Sequence, residues 1–181
     1  MNYPRQLSLL AEYNTALNQQ LYQVSSQLTP EKLTENKQAF FGSILGSFNH
    51  ILVGDLIWLR RFAKHPNSFD LISALQEFPV PQCFDQKLYT DFNELWQKRA
   101  QLDQIIEQWA KSLAEEQLEQ PLAYHNMKGV PANRSMLSLL IHFFTHQIHH
   151  RGQITTLLSQ EGLDFGETDL LLLIPDMPNV H

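Results

Sequence analysis

The chain has 181 residues, of which 43% are hydrophobic and 10% aromatic, and this composition suits one globular domain with a substantial core. Its formal net charge of −6 and its scattered Lys and Arg argue against a nucleic-acid-binding protein, since such proteins carry a basic surface. A single cysteine, Cys83, excludes an internal disulfide. No apolar stretch reaches the length of a membrane span or resembles a signal peptide, so we expect a cytoplasmic protein without a membrane partner.

Apolar residues spaced three or four apart predict four long helices, with almost no sign of β-strands. These helices are expected over residues 4–28, 43–64, 89–118 and 135–161. Ser135 is a suitable N-cap for the last helix, and Gly162 is a suitable stop for it. The pattern predicts an all-α four-helix bundle that forms a single domain over residues 1–181.

Shorter pieces are expected to connect the long helices. Thr29 and Pro30 favour the start of a short helical turn, since Thr caps helices and Pro suits their first position. Residues 69–78 form one short periodic piece, and residues 121–133 are predicted to be a loop or an irregular hairpin. The apolar run at 170–174 is expected to fold back across the bundle or to cover a dimer interface.

The last long helix carries four histidines within nine residues, at positions His142, His146, His149 and His150. Side chains four residues apart lie about 5–6 Å apart at Cβ, so two such imidazoles can bind one divalent ion. The pairs 142/146 and 146/150 have this spacing, and the pair 146/149, three residues apart, could also reach one ion. Because this helix is apolar nearly all round, we expect it to be buried, as in bundles that hold metal sites. His65 lies elsewhere and is expected in a solvated loop.

A third ligand is available on the second long helix, which contains one histidine, His50. Gly46 and Gly54 lie four residues before and after it, and they leave room for a ligand or for a closely packed helix. The apolar arc of this helix does not centre on His50, which falls nearer to Ser47 and Arg61. Periodicity alone therefore does not select His50 as a ligand in the core.

Five motifs along the chain together carry a family resemblance. They are GSFNH at 46–50, IWLRR at 57–61, HFFTHQIHHRGQ at 142–153, GLD at 162–164 and TDL at 168–170. On these motifs the chain resembles the DinB/YfiT-like family of metal-binding four-helix bundles. The match extends over nearly the whole sequence, and only the last two motifs are weak when taken alone.

The resemblance implies a particular set of metal ligands. In this family one histidine of the second long helix and an HxxxH pair of the last helix bind a divalent metal ion. Carried over by position, those residues are His50, His146 and His150, and the chain retains all three. His142 and His149 are not ligands in that pattern, so they are expected to hydrogen-bond elsewhere or to shape the pocket.

Three neutral histidines leave an ion with an open coordination position, which is typical of catalytic rather than structural sites. That position could hold water or a thiolate, and relatives that depend on low-molecular-weight thiols favour a thiol-dependent transferase or isomerase, with a hydrolase as the other candidate. We expect one divalent transition metal ion, zinc or nickel first and iron next, together with a small-molecule substrate and a homodimer. The alternative is a non-catalytic metal-binding or stress-response bundle. A third interpretation makes the histidines core residues that bind no metal.

Several polar residues are candidates to support the ligands. Gln153 lies three residues after His150 and shares its face, so it could orient a ligand. Asn49 and Asp55 are polar residues in an apolar helix. Asp55 lies on the apolar arc, and a buried acid there requires a partner, either an arginine or a histidine ring N–H.

Overall fold

The computed structural model describes residues 2–65 and 69–176, and four long helices form most of it. In chain order the elements are α1 (Tyr3–Ser25), α2 (Pro30–Thr34), α3 (Ile44–Phe62), α4 (Leu71–Ala74), α5 (Phe92–Ser112), α6 (Glu115–Glu119), β1 (Pro121–His125), β2 (Pro131–Ser135), α7 (Met136–Gln160) and a 3₁₀ helix (Leu170–Leu173). Both α1 and α3 pack against α5 and α7, which closes a four-helix bundle. The predicted all-α fold is confirmed. None of the helices in these described ranges combines the length and the apolar character needed to cross a membrane.

Local capping chemistry sets where the helices begin. The side chain of Ser43 accepts a hydrogen bond from the Gly46 amide at the start of α3, and Ser135 caps α7 in the same way. Thr29 caps the short helix α2, as predicted. Gly162 adopts a φ of 75° immediately after α7, a conformation that favours glycine and ends the helix.

The third long helix is shorter than predicted. The sequence suggested one helix over 89–118, whereas α5 ends at Ser112 and a separate helix, α6, follows. Leu113 is extended, with a ψ of 130°, and the side chain of Gln117 accepts a hydrogen bond from the Ala114 amide at 2.8 Å. This side chain begins a new helix although the apolar spacing continues through the break.

The predicted loop or irregular hairpin is a regular antiparallel one. Strands β1 and β2 pair in register, with Leu122 opposite Arg134 and Pro121 opposite Ser135. Leu122 is buried against the bundle, and most other residues of the hairpin are exposed. One anchored apolar side chain is too short a pattern for periodicity to identify a strand.

Helix α3 is buried along almost its whole length. Of its 19 residues, only Arg60 is not buried. The side that carries Ser47 and Arg61, which the sequence suggested was polar and which lies near His50, is therefore buried as well. Helices α2, α4, α5 and α7 all contact α3, and this accounts for the lack of a solvated face.

His65 was expected to be solvated, and this expectation is wrong. Its residue surface is 4% exposed. The backbone amide of His65 donates a hydrogen bond to the Phe62 carbonyl at 2.9 Å, so the chain continues in a turn from the buried end of α3. This turn holds His65 against the bundle.

A buried polar network joins α3, α5 and α7. Nη1 of Arg99 lies 2.5 Å from Oδ2 of Asp55, and its Nη2 lies 2.8 Å from Oδ1 of Asp103. Gln147 on α7 donates a hydrogen bond to Oδ1 of Asp55 at 2.8 Å. Burial raises the pKa of Asp55, and the Arg99 guanidinium opposes that shift. An arginine partner for Asp55 was one of the two predicted outcomes.

The same network reaches α1 through two asparagines. Asn14 and Asn18 donate to the carboxylate of Asp103 at 2.7 Å and 3.0 Å. Their side-chain oxygens accept hydrogen bonds from Arg151 on α7. All four long helices are therefore tied by hydrogen bonds at one level of the bundle. Such bonds specify the relative positions of the helices more strongly than apolar contacts do.

The end of the described chain folds back onto α1. The Tyr13 hydroxyl donates to the Thr168 carbonyl at 2.6 Å, and Gln20 donates to the Glu167 carbonyl at 3.0 Å. The side chains of residues 171–174 nevertheless remain exposed. Their role in a homodimer stays a prediction.

Candidate metal centre

Helices α3 and α7 lie side by side and run in opposite directions. His50 contacts His150, Gly54 faces His146, and Trp58 contacts His142, so positions that ascend on α3 meet positions that descend on α7. The four-residue spacing of these positions on both helices keeps one face of each helix in contact with the other. The groove between the two helices thus contains the histidine cluster.

The ring nitrogens of His50, His146 and His150 converge within this groove. Nε2 of His150 lies 3.1 Å from Nε2 of His50 and 3.1 Å from Nε2 of His146. Each residue offers one ligand atom, and these atoms lie within 4.8 Å of one another. Tetrahedral ligands at about 2.0–2.1 Å from a zinc ion lie roughly 3.3 Å apart. The two spacings of 3.1 Å are close to this value, so the three nitrogens are placed to share one ion. In the described ranges, no fourth His, Cys, Asp or Glu joins the group.

Hydrogen bonds on the far side of two rings assign their tautomers. Nδ1 of His50 lies 3.0 Å from the Phe84 carbonyl oxygen, and Nδ1 of His150 lies 2.8 Å from Oε1 of Gln153. Both acceptors require a proton on Nδ1, which leaves a lone pair on each Nε2 when the rings are neutral. Two lone pairs that face each other at 3.1 Å repel unless a cation lies between them. The donor set therefore fits a bound metal ion better than it fits a hydrogen-bonded core.

The electrostatic environment keeps the three rings neutral. Burial lowers the pKa of His50 and of His150 below the usual value. For His146, burial first and then the neighbouring His150 and His50 lower the pKa to about 3. Metal ligands must be deprotonated, so these rings are ready to bind an ion at neutral pH.

Two glycines of α3 make room for the site. An added Cβ at Gly54 would lie 2.9 Å from Cε1 of His146, and one at Gly46 would lie 2.1 Å from the Phe41 carbonyl oxygen. The close approach at Gly46 brings the Phe41 ring over His50, with the ring centroids 3.7 Å apart and nearly parallel. The space that the two glycines leave is therefore filled: the His146 ring lies against Gly54, and the Phe41 backbone lies against Gly46.

Replacing Gly54 by alanine is expected to weaken metal binding about 10- to 100-fold, the effect typical of losing a group that orients a ligand. The new methyl group would push the His146 ring out of position. Calorimetric titration with zinc would measure the change. Gly152→Ala is the matched control, because Gly152 lies on α7 with no atom near its added Cβ. That variant should keep its zinc affinity and gain about 0.5–1 kcal/mol of stability. Equal zinc affinities in the two variants would contradict this account of Gly54.

A cleft of about 650 Å³ opens beside His50. The rings of Phe40, Phe41 and Phe84 give it apolar walls, and residues 85–87 supply its polar side. His50 is thus part of the cleft wall and also a member of the histidine cluster. A molecule in this cleft would lie next to the metal position.

Cys83 lies at the rim of this cleft and is exposed. Its hydrogen bond with Asp85 raises the pKa of its thiol, which keeps the thiol protonated at neutral pH. A reactive cysteine needs a lowered pKa. Cys83 therefore lacks the environment of a nucleophile.

Two other candidate residues, Asn49 and Asp55, form hydrogen bonds with other parts of the fold. Asn49 holds the chain beyond α4, since its side chain donates to the Tyr89 carbonyl at 2.9 Å and accepts from the Tyr89 amide at 3.0 Å. Asp55 uses its two carboxylate oxygens on Arg99 and Gln147. Neither residue has a hydrogen bond to the three histidines.

His142 and His149 are exposed and flank the cluster. The ring centroid of His142 lies 5.2 Å from that of Trp58 and 5.9 Å from that of His146. His149 contacts Gln153, the residue that holds His150, at 3.5 Å. His142 and His149 therefore contact the His146 and His150 rings from outside, and neither belongs to the ligand group.

Sequence reasoning missed two residues that position His50. The Phe84 carbonyl accepts its Nδ1 proton, and the Phe41 ring stacks on its face. A backbone carbonyl has no signature in the sequence, because every residue supplies one. Gly46 was the available indication for Phe41, since a glycine facing His50 suggests that another group approaches closely.

Comparison with known proteins identifies relatives of the chain. The DinB family model matches residues 1–176. The chain is 29% identical over 161 residues to Protein DinB of Bacillus subtilis (strain 168), and the alignment covers 88% of each chain. No solved structure matches. With a family match over nearly its whole length, the chain belongs to the DinB family.

Proposed function

We propose that this protein binds one divalent transition metal ion through His50, His146 and His150. The proposal is supported by the facing Nε2 lone pairs and by the outer hydrogen bonds to Phe84 and Gln153. Neutral imidazole suits zinc, nickel and iron, and the two nitrogen spacings of 3.1 Å are close to those of a tetrahedral zinc site. The lowered pKa values of the rings remove the competition from protons near neutral pH.

We further propose that the metal centre is the active site of an enzyme that acts on small molecules. The main support for this proposal is the cleft beside His50. A structural site is normally closed by a fourth protein ligand, whereas this cluster has three. When bound, a divalent ion in such a site lowers the pKa of a coordinated water or thiol and polarises a substrate oxygen. The residues of the chain then have separate tasks: the histidines hold the ion, and the phenylalanines of the cleft bind an apolar group.

Two reaction classes fit this site. A thiol-dependent transferase or isomerase would bring a low-molecular-weight thiol to the metal and a second, partly apolar reactant to the cleft. A metal-dependent hydrolase would need the cleft for one substrate alone. The cleft of about 650 Å³ has room for a second reactant, which favours the first class.

The competing function is a non-catalytic metal-binding bundle, and it differs in one observable property. An enzyme needs a coordination position that exchanges with solvent, while a binding module can have that position closed. Cobalt(II) loaded into the protein would report on this position through its visible spectrum. Adding mercaptoethanol should then produce a sulfur-to-cobalt charge-transfer band. Cobalt binding without any change upon addition of mercaptoethanol or azide would favour the binding module.

Acidification from pH 7.5 to 6 is expected to weaken zinc binding much less than it would for ligands of ordinary pKa, because the lowered pKa values favour neutral ligands in the metal-free protein. Three histidines with the ordinary pKa near 6.5 would together weaken binding roughly 50-fold over the same range. Calorimetric titrations across this range, in buffers of different ionisation enthalpy, would also count the protons released. A loss near 50-fold with proton release would contradict the neutral-ligand account.

A further inference from the structure

Beyond His146, the groove between α3 and α7 leads to an arginine. The His142 ring follows His146, and the Trp58 ring follows His142, with centroid separations of 5.9 Å and 5.2 Å. The Arg61 guanidinium lies over the Trp58 ring, with Cζ 4.6 Å from its centroid. It also lies 5.0 Å from the ring centroid of Tyr124 on β1. Two aromatic rings therefore hold this guanidinium at the far end of the groove.

Arg61 is nine-tenths buried and has no anionic partner. Within residues 2–65 and 69–176, its guanidinium contacts the two rings but makes no hydrogen bond or ion pair. The two other buried arginines have polar partners: Arg99 binds two aspartates, and Arg151 donates to Asn14. The guanidinium nitrogens of Arg61 therefore keep access to solvent.

A second arginine adds positive charge at the same place. Arg134 lies on β2 and is exposed. In the hairpin, Leu122 pairs with Arg134 and Tyr124 pairs with Ala132, so Arg134 and Tyr124 project from the same face, and Tyr124 contacts Arg61. No carboxylate of the described ranges forms an ion pair with either arginine. In a chain of net charge −6, this is a local excess of unpaired positive charge.

We propose that Arg61 and Arg134, with His142 beside them, form a carboxylate-binding subsite that extends the metal centre. Contacts with the Trp58 and Tyr124 rings hold the Arg61 guanidinium in place, and the edge of a guanidinium binds a planar carboxylate with two hydrogen bonds. The subsite rests on the proposed metal centre, because the metal holds the other end of the substrate.

The helix geometry sets the length of that substrate. Arg61 lies eleven residues after His50, about 16 Å along α3, and its guanidinium lies over Trp58, three residues nearer to His50, which leaves about 12 Å. The substrate class is therefore a small molecule with a metal-binding group at one end and a carboxylate at the other.

Matched thiol probes test this subsite on the cobalt(II)-loaded protein. Mercaptohexanoate and mercaptohexanol have the same chain, but only the first ends in a carboxylate. Titration of the sulfur-to-cobalt band should give mercaptohexanoate a dissociation constant about tenfold or more below that of mercaptohexanol. Arg61→Gln should remove this preference, and Arg134→Gln should reduce it. Arg5→Gln, which removes one exposed and distant charge from α1, should leave the preference intact.

The other outcomes of this experiment overturn either the subsite alone or the metal centre as well. Equal binding of the two thiols to the unaltered protein overturns the subsite and leaves the metal centre standing, and so does a preference that survives in both arginine variants. If Arg61→Gln does not fold, Arg134→Gln decides, because its side chain is exposed on the hairpin. Failure to bind cobalt at all overturns the metal centre, and the subsite with it.

Discussion

Replacing His150 by alanine is expected to abolish tight metal binding, with a loss of at least about 100-fold in affinity. His150 is the central ligand, because its Nε2 lies 3.1 Å from the corresponding atoms of both His50 and His146. Its removal leaves two imidazoles that belong to different helices. Loss of an outer-shell partner alone commonly costs 10- to 100-fold, so loss of a ligand should exceed that range. Competition with a chromophoric zinc chelator would measure the affinity.

His149→Ala provides the matched control for this variant. It removes an imidazole from the neighbouring position of the same helix, but that ring is exposed and lies outside the cluster. Its affinity for zinc should stay within about threefold of the unaltered protein, since the variant keeps all three ligands and loses only the contacts of His149 with Gln153 and with the edge of the His150 ring. Equal losses in the two variants would mean that α7 binds the ion through a different pair of histidines.

Replacing Arg99 by methionine is expected to destabilise the protein by about 3–5 kcal/mol, the cost of leaving buried charges without their partner. The change would strand the carboxylates of Asp55 and Asp103, whose side chains are almost fully enclosed. Urea denaturation followed by circular dichroism would give the free energy of unfolding. The unaltered zinc ligands should still bind one ion in the folded variant.

Lys111→Met is the matched control on the same helix. Like Arg99, Lys111 forms an ion pair with another helix: it lies 3.3 Å from Glu12 on α1. Both of these side chains, however, are about half exposed. Surface ion pairs of this kind are worth under about 1 kcal/mol. A loss below 1 kcal/mol in Arg99→Met, comparable to the control, would show that the buried network is not a major determinant of stability.

The four-helix fold could be predicted because its determinants are local. Ser135 and Gly162 mark the ends of α7 through hydrogen bonds and backbone conformation within a few residues. The break between α5 and α6 could not be read in the same way, because the apolar spacing continues through Leu113. The capping side chain of Gln117 competes with that pattern, and its effect depends on the packing of the short helix that it begins.

The candidate site was predictable in part for a similar reason. Four-residue spacing marked His146 and His150 as neighbours, but the same spacing also allowed His142. His50 could not be selected by periodicity, because that method assumes one solvated face and α3 is enclosed on all sides. Only the family resemblance distinguished the triad from these alternatives.

The contacts that complete the site come from the tertiary fold. The Phe84 carbonyl and the Phe41 ring reach His50 from segments that carry no metal-binding pattern. Arg61 and Arg134 lie on a helix and a strand that meet only after folding, so their closeness was not visible in the sequence.

Anomalous diffraction from crystals of the zinc-loaded protein would test the central claim most directly. The triad predicts one strong anomalous peak within about 2.0–2.1 Å of the Nε2 atoms of His50, His146 and His150. It also predicts no peak of comparable height at His142 or His149. A peak bound by those two residues, or the absence of any peak in the groove between α3 and α7, would contradict the proposed metal centre.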